Sequence, residues 1–271
     1  MIDEPRDEEP PDGGAGDEPS GFAMRDPVEH DGRVTFLGFL LDAFRRRRMG
    51  QFVLNGLVVT LFLSGAGMFA YPFFTDVYTE QFLQRGLEDR FETIEVQTFE
   101  EWEASITGES GTPLTKIAIP AIDIETLVVE GTSPAALRAG AGHYPNTPLP
   151  GQNGNVAIAG HRTTYGRPFN RLDEIPVGSE IWLVTPVGDY LYRTTSAPAG
   201  YQQEERPGGE LLSGFVTTPK DWRIIEPTSV SSLTLTTCHP KGSASERLIV
   251  RAELAESFPA GYYDRTVAAP A

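Results

Sequence analysis

Hydrophobic and polar positions divide the chain into three textures. Residues 1–31 hold almost no large apolar side chain and are built from Asp, Glu, Pro and Gly. Such a segment cannot bury enough surface to fold, so 1–31 is expected to be disordered. Residues 32–50 carry "VTFLGFLLDAFRRRRMG", which suits a short amphipathic helix ending in a basic cluster. From Phe52 to Tyr71 no residue is charged. Twenty residues at about 1.5 Å per residue span roughly 30 Å, the thickness of a membrane's hydrocarbon core. The pattern predicts a transmembrane helix over 51–74, with Tyr71, Phe73 and Phe74 at one interface. Beyond it, Val77, Phe82, Leu83, Leu87 and Phe91 recur at helical spacing, which predicts a helical stalk over 75–111.

From Leu114 the period changes to short strands. "LTKIAIP", "ETLVVEG", "NVAIAGH", "SEIWLVTP", "YLYRTT", "SLTLTTC" and "RLIVRAEL" are separated by clusters of Gly, Pro, Asn and Asp. Seven or eight short strands with little helix predict a closed antiparallel barrel or a sandwich. "SPAALRAGAGHY" (133–144) has room for one short helix. "EERPGGE" (204–210) reads as a loop, and 257–271 as a flexible tail.

Charge changes the picture at the N-terminal side. The formal net charge of the 271 residues is −16, and eleven acids against two arginines fall within 1–31. An acidic balance argues against nucleic acid as a partner, whose backbone needs basic surface. The four arginines Arg45, Arg46, Arg47 and Arg48 abut the apolar run. Positive charge stays on the cytoplasmic side, so the N-terminus is expected in the cytoplasm and the strand-rich region outside, with the chain held by its own helix. The apolar run is too long, and starts too far in, for a cleaved signal peptide.

The candidate chemistry gathers where strands end. The one cysteine, Cys238, cannot form an internal disulfide; it is a small core residue, a partner for another chain, or a nucleophile. Strand alternation puts Leu233 and Leu235 on one face and Thr234, Thr236 and Cys238 on the other. In "RLIVRAEL", Arg247 opposes the apolar set, and a hairpin would place it beside Cys238. His161 ends "NVAIAGH" opposite Val156 and Ile158. Parity permits these three to meet. A thiolate beside a cation, an imidazole that moves protons and a guanidinium facing an oxyanion together suit acyl transfer through a thioester. Arg251 shares the parity of Arg247 but lies deeper in its strand.

"TLTTC" with Arg nine residues after the Cys, and "GHYPNTPLPGQNGNVAIAGHRTTYG" (142–166) upstream, resemble the sortase family of cell-wall transpeptidases, most of all the class E sortases of Gram-positive actinobacteria. The likeness covers about 112–256. It implies a mainly β fold, the sortase-type closed eight-stranded β-barrel with short helices, preceded by an N-terminal anchor. It implies Cys238 as nucleophile, His161 as acid/base and Arg247 as the oxyanion or substrate-positioning residue. Tyr144, His143 and Thr237 become candidates for substrate binding. The implied partners are secreted proteins with a C-terminal LPXTG- or LAXTG-type sorting signal, and an amine of peptidoglycan precursor or cross-bridge. The cleavage would fall between Thr and Gly.

No cofactor or metal is expected. One Cys and four scattered His give no zinc spacing, and the loop acids Asp173, Glu174, Glu204 and Glu205 lack a calcium pattern. Two other readings stand beside this one. Another cysteine acyltransferase of the wall would usually carry His and Gly just ahead of the Cys, where Thr-Thr stands here. A pilin-polymerising sortase would carry an Asp-Pro-Trp-like plug, which "EEWEAS" is not.

Overall fold

The computed structural model describes residues 36–46, 48–106, 110–206 and 208–268; the acidic segment 1–31 lies outside them. The chain divides into two compact units, Met1–Leu61 and Phe62–Ala271. The first unit carries α1 (Phe36–Arg46), and α2 (Arg48–Tyr78) begins within it. Gly50–Glu92 is the one described stretch of helix long and apolar enough to cross a membrane. Its apolar side chains, Phe52, Leu57, Phe62 and Phe69 among them, stand exposed.

Within the second unit, α2 passes through a π-helical stretch, Thr79–Gln84, into α3 (Arg85–Glu92), and α4 (Phe99–Ile106) follows. Side chains from this helical run reach the strand-bearing region that follows. Thr79 Oγ1 donates to the Arg138 carbonyl at 3.1 Å, and Gln84 Oε1 accepts from the Leu127 amide at 3.0 Å. Trp102 of α4 is fully buried with Ile106, Leu114 and Leu149.

Ten strands follow among the described residues: β1 (Pro113–Ile119), β2 (Ile124–Glu130), β3 (Ala141–His143), β4 (Asn155–Ala159), β5 (Glu180–Thr185), β6 (Gly188–Thr194), β7 (Gln203–Glu205), β8 (Leu211–Thr217), β9 (Ser232–His239) and β10 (Glu246–Phe258). Eight of them close a barrel in the order β6-β5-β1-β2-β3-β4-β9-β10, with β10 returning to β6. Closure is possible because β10 is 13 residues long. Its first half pairs with β8 from Arg247 to Val250, and its second half pairs with β6 from Ala252 to Phe258. The barrel interior is filled by Ile117, Val156, Ile158, Phe169, Leu233 and Leu235, all fully buried. Each such side chain contributes about 1.5–3 kcal/mol when removed from water.

The strands differ from the all-antiparallel expectation at two places. β2–β3 and β4–β9 are parallel. A parallel pair needs a crossover, and α5 (Pro134–Ala139) supplies the first, its start capped by Ser133, whose hydroxyl oxygen accepts the Ala136 amide at 3.2 Å. Three strands escape the alternation pattern. β3 has three residues, while Gly214 and the polar Ser213 break the alternation in β8; of the segment read as a loop at 204–210, Glu204 and Glu205 belong to β7, and the rest lies between β7 and β8. The tail expected to be flexible from residue 257 is instead packed as far as it is described. β10 runs to Phe258, α6 (Tyr262–Thr266) follows, and Phe258, Tyr262 and Tyr263 gather their rings around Trp182. Aromatic area on that scale outweighs the small residues around it.

Candidate active site at the end of strands β4, β9 and β10

Register decides what meets at the end of the sheet. β9 and β10 are antiparallel neighbours with Cys238 directly opposite Arg247. On the other side β4 runs parallel to β9, with Ala159 opposite Thr236. The ladder continues one step past β4: the Gly160 amide donates to the Thr236 carbonyl at 3.0 Å, and the Thr237 hydroxyl donates to the Gly160 carbonyl at 2.8 Å. Continuing that register sets His161 level with Cys238. Residues level across neighbouring strands share a face, so the pairing of Cys238 with Arg247 follows from the backbone, while His161 stands one residue past the last ladder bond at the same strand end. A glycine precedes the histidine because Phe169 fills the space beside it: a Cβ on Gly160 would lie 2.5 Å from the Phe169 ring.

Cys238 is half-buried, and among the described residues no hydrogen bond reaches its thiol. His161 is also half-buried, its ring 5.0 Å from that of Tyr165. Burial, and after it the charge of Arg138, pushes the His161 imidazole below its ordinary value of 6.5. At neutral pH the ring is therefore neutral and can accept a proton from a thiol. Arg247 turns toward its own loop, its Nη1 donating to the carbonyls of Ala244 (3.0 Å) and Glu246 (2.9 Å). Arg251 is committed elsewhere, with Nη2 donating to the Ile224 carbonyl at 3.0 Å.

Tyr144 sits with this row. Its hydroxyl lies 3.0 Å from that of Thr236, two residues before Cys238 on the same face. That face points away from the apolar interior but is not open: Thr234 and Thr236 are buried against Asn155 and Tyr144. Thr237 is 3% exposed and its hydroxyl is engaged by Gly160, so it ties the His161 strand end to β9. His143 does not join the row. Its ring is buried, with Nδ1 2.7 Å from Glu130 Oε2 and Nε2 2.9 Å from Thr147 Oγ1, which anchors the turn carrying Tyr144.

One buried residue escaped the sequence reading. Arg162 is 3% exposed beneath the row. Its Nη1 donates to the Cys238 carbonyl (3.2 Å) and to His239 Nδ1 (2.8 Å), and its Nη2 pairs with Asp173 at 2.8 Å. A guanidinium donates only, so His239 Nδ1 accepts and the His239 proton resides on Nε2. The adjacency of Arg162 to His161 was visible; its burial was not. Asp173, weighed as a cation ligand, is the counter-ion of Arg162, and Glu174 pairs with Arg171 at 2.8 Å. Among the described residues no three His, Cys, Asp or Glu side chains gather closely enough to hold a metal ion.

The comparisons agree with this architecture. Residues 117–255 match the family model "Sortase domain". The chain is 30% identical over 151 residues to sortase D of Bacillus subtilis, which covers 54% of this chain and 66% of that protein. It is 28% identical over 166 residues to sortase SrtE1 of Streptomyces coelicolor, covering 56% of this chain and 43% of that one. The chain thus spans less than two thirds of either curated relative. Among solved structures, the sortase D5 transpeptidase of Clostridium perfringens aligns with a TM-score of 0.51 at 26% identity, over 66% of this chain and 99% of that one. A closed eight-stranded barrel with its single cysteine directly opposite an arginine, matched by the family model over more than half the chain, makes this protein a member of the sortase family of cysteine transpeptidases.

Proposed function

We propose that the protein is a membrane-anchored, class E-type sortase that joins secreted proteins to a peptidoglycan amine. The carrying observation is the register that sets Cys238 opposite Arg247, with β4, the strand that runs into His161, paired to β9 on the other side. In this reading neutral His161 takes the Cys238 proton. The sulfur attacks the carbonyl carbon of Thr in an LPXTG- or LAXTG-type signal, and Arg247 donates to the oxyanion. The Thr–Gly bond breaks, the glycine amine leaves with the proton from His161, and a thioester remains. A peptidoglycan amine then attacks the thioester, loses its proton to His161 and releases Cys238. Tyr144 lines the groove for the sorting signal, while the buried His143 fixes the turn that carries Tyr144 and Thr237 ties β9 to the strand end before His161.

The exposed apolar surface of α2 supports anchoring, and the arginines before it support a cytoplasmic N-terminus with the barrel outside. That placement brings the site to where exported signals and wall precursors meet. The relationship to SrtE1 and the 142–166 segment support the class E assignment.

The test is to incubate the full chain in detergent micelles with LAXTG and LPXTG peptides and hydroxylamine, and to follow products by mass spectrometry. A threonyl hydroxamate formed by wild type and absent with Cys238→Ala supports the thioester route. A folded barrel that leaves both peptides intact sinks it.

A further inference from the structure

His161 begins a segment that backbone ladders do not hold. After Gly160, residues 161–170 form a loop closed by the Phe169 amide donating to the His161 carbonyl at 3.1 Å. At its tip Tyr165, Gly166 and Arg167 all have positive φ, of 55°, 73° and 47°. Only the glycine adopts this region freely; Tyr165 and Arg167 each carry a cost of order 1–2 kcal/mol. Something outside the loop must offset it.

The partner is the last part of α2. Asp76 is 6% exposed. The Gly166 amide donates to its Oδ1 at 3.0 Å, and Arg167 Nε pairs with its Oδ2 at 2.8 Å. One carboxylate thus engages two of the three positive-φ residues, Arg167 being a strained one, and the third, Tyr165, has its ring against His161 and its hydroxyl 2.9 Å from that of Tyr71. Beside these contacts a cleft of about 330 Å³, lined by Thr79, Gln84, Tyr165 and Gly166, separates helix from barrel. Apolar packing is therefore thin there, and the charged hydrogen bonds carry the hold.

We propose that Asp76 is a positioning residue for the acid/base: from the last turn of α2, just past the apolar run, it clamps Gly166 and Arg167 so that Tyr165 holds the His161 ring at the strand end beside Cys238. This rests on the proposed role of His161. It makes the anchor helix part of the active-site frame, and a barrel cut free after residue 76 has an incomplete one.

The test uses the full chain in detergent micelles as wild type, Asp76→Asn and Asp76→Ala. Hydrogen exchange read by mass spectrometry needs no substrate. Asp76→Ala raises exchange of the 163–167 amides about tenfold or more, Asp76→Asn raises it less because it keeps an acceptor for Gly166, and β4 and β9 exchange as in wild type. With sorting-signal peptides and hydroxylamine, kcat of Asp76→Ala falls about tenfold while KM stays within about twofold. The rate at which iodoacetamide alkylates Cys238 falls with it, because the displaced ring no longer takes the thiol proton. Unaltered exchange at 163–167, exchange rising equally through β4 and β9, or a full kcat despite a loosened loop each overturns the proposal. If wild type cleaves neither peptide, the proposed reaction fails alone, and the exchange pattern still decides the clamp.

Discussion

The two flanks of Cys238 are built in different ways. Toward Arg247 the chain is a continuous antiparallel ladder, eight residue pairs from Glu246–His239 to Glu253–Ser232. Toward His161 the ladder stops at Gly160, and the histidine belongs to a loop held by polar side chains: Asp76 from α2, Thr237 from β9 and the loop's own Asn170. The nucleophile and the arginine are thus placed by main-chain pairing, which few substitutions disturb. The acid/base is placed by polar side chains, each open to mutation. Precision on the first flank comes with the fold; on the second it is separately encoded.

The sharpest break in this comparison comes from the reacting groups themselves. His161→Ala is expected to lower kcat/KM about 10²–10⁴-fold with little change in melting temperature, because a half-buried loop side chain carries little of the core. Arg247→Ala is expected to cost about 10²–10³ through the oxyanion, again with the barrel intact, since its partners are two carbonyls of its own loop. If Arg247→Ala instead melts the barrel, the arginine is part of the ladder's stability and the contrast between flanks fails.

Arg162 is where the flanks are joined. It follows His161 in sequence and holds the Cys238 carbonyl in space. Arg162→Met would leave Asp173 without its buried partner and remove two hydrogen bonds. A loss of about 2–3 kcal/mol in unfolding free energy is expected, at the low end for a buried pair because Asp173 is about a third exposed. Denaturant unfolding measures it. A loss under about 0.5 kcal/mol would mean that the guanidinium is not needed to tie β9 to the loop.

How much of this was legible follows the same division. The strands β1, β2, β4, β5, β6, β9 and β10 announce themselves by alternation, and the parity of Cys238 and Arg247 needed only the assumption of a hairpin. The parallel β4–β9 pairing was not legible, because 72 residues separate Ala159 from Ser232 and local pattern says nothing across such a distance. Arg162 and Asp76 were hidden for a related reason: a charged residue reads as solvated until a distant partner is known. The reach of β10 to Phe258 and the ring cluster at Trp182 were missed because Tyr262 and Tyr263 sit among small residues that look loose.

A smaller effect probes the groove. Tyr144→Phe removes a hydroxyl 3.0 Å from Thr236 without changing the ring. The hydrogen bond is worth about 0.5–1.5 kcal/mol, so a two- to tenfold rise in KM for the sorting peptide with kcat held is expected if the ring's placement serves binding. A fall in kcat at constant KM would move Tyr144 from the groove to the reacting centre.

The smallest effect concerns the charge near His161. Burial is the larger cause of its lowered proton affinity, and Arg138 the lesser. The neutral ring is the form that accepts the thiol proton, so the acidic limb of kcat/KM should lie below pH 6.5. Folding favours the same neutral form: the associated stability is complete above 6.5 and is lost as pH falls through the lower folded value. Arg138→Met removes a charge that disfavours the imidazolium, so both the acidic limb and the stability loss should move upward toward 6.5, without reaching it because the burial remains. Its backbone carbonyl still receives the Thr79 hydroxyl, so the helix contact survives. A pH–rate profile of the two proteins decides the matter. A limb that moves downward, or past 6.5, would show that the Arg138 side chain acts on the His161 loop by packing and that the loop flank is held by more than polar contacts.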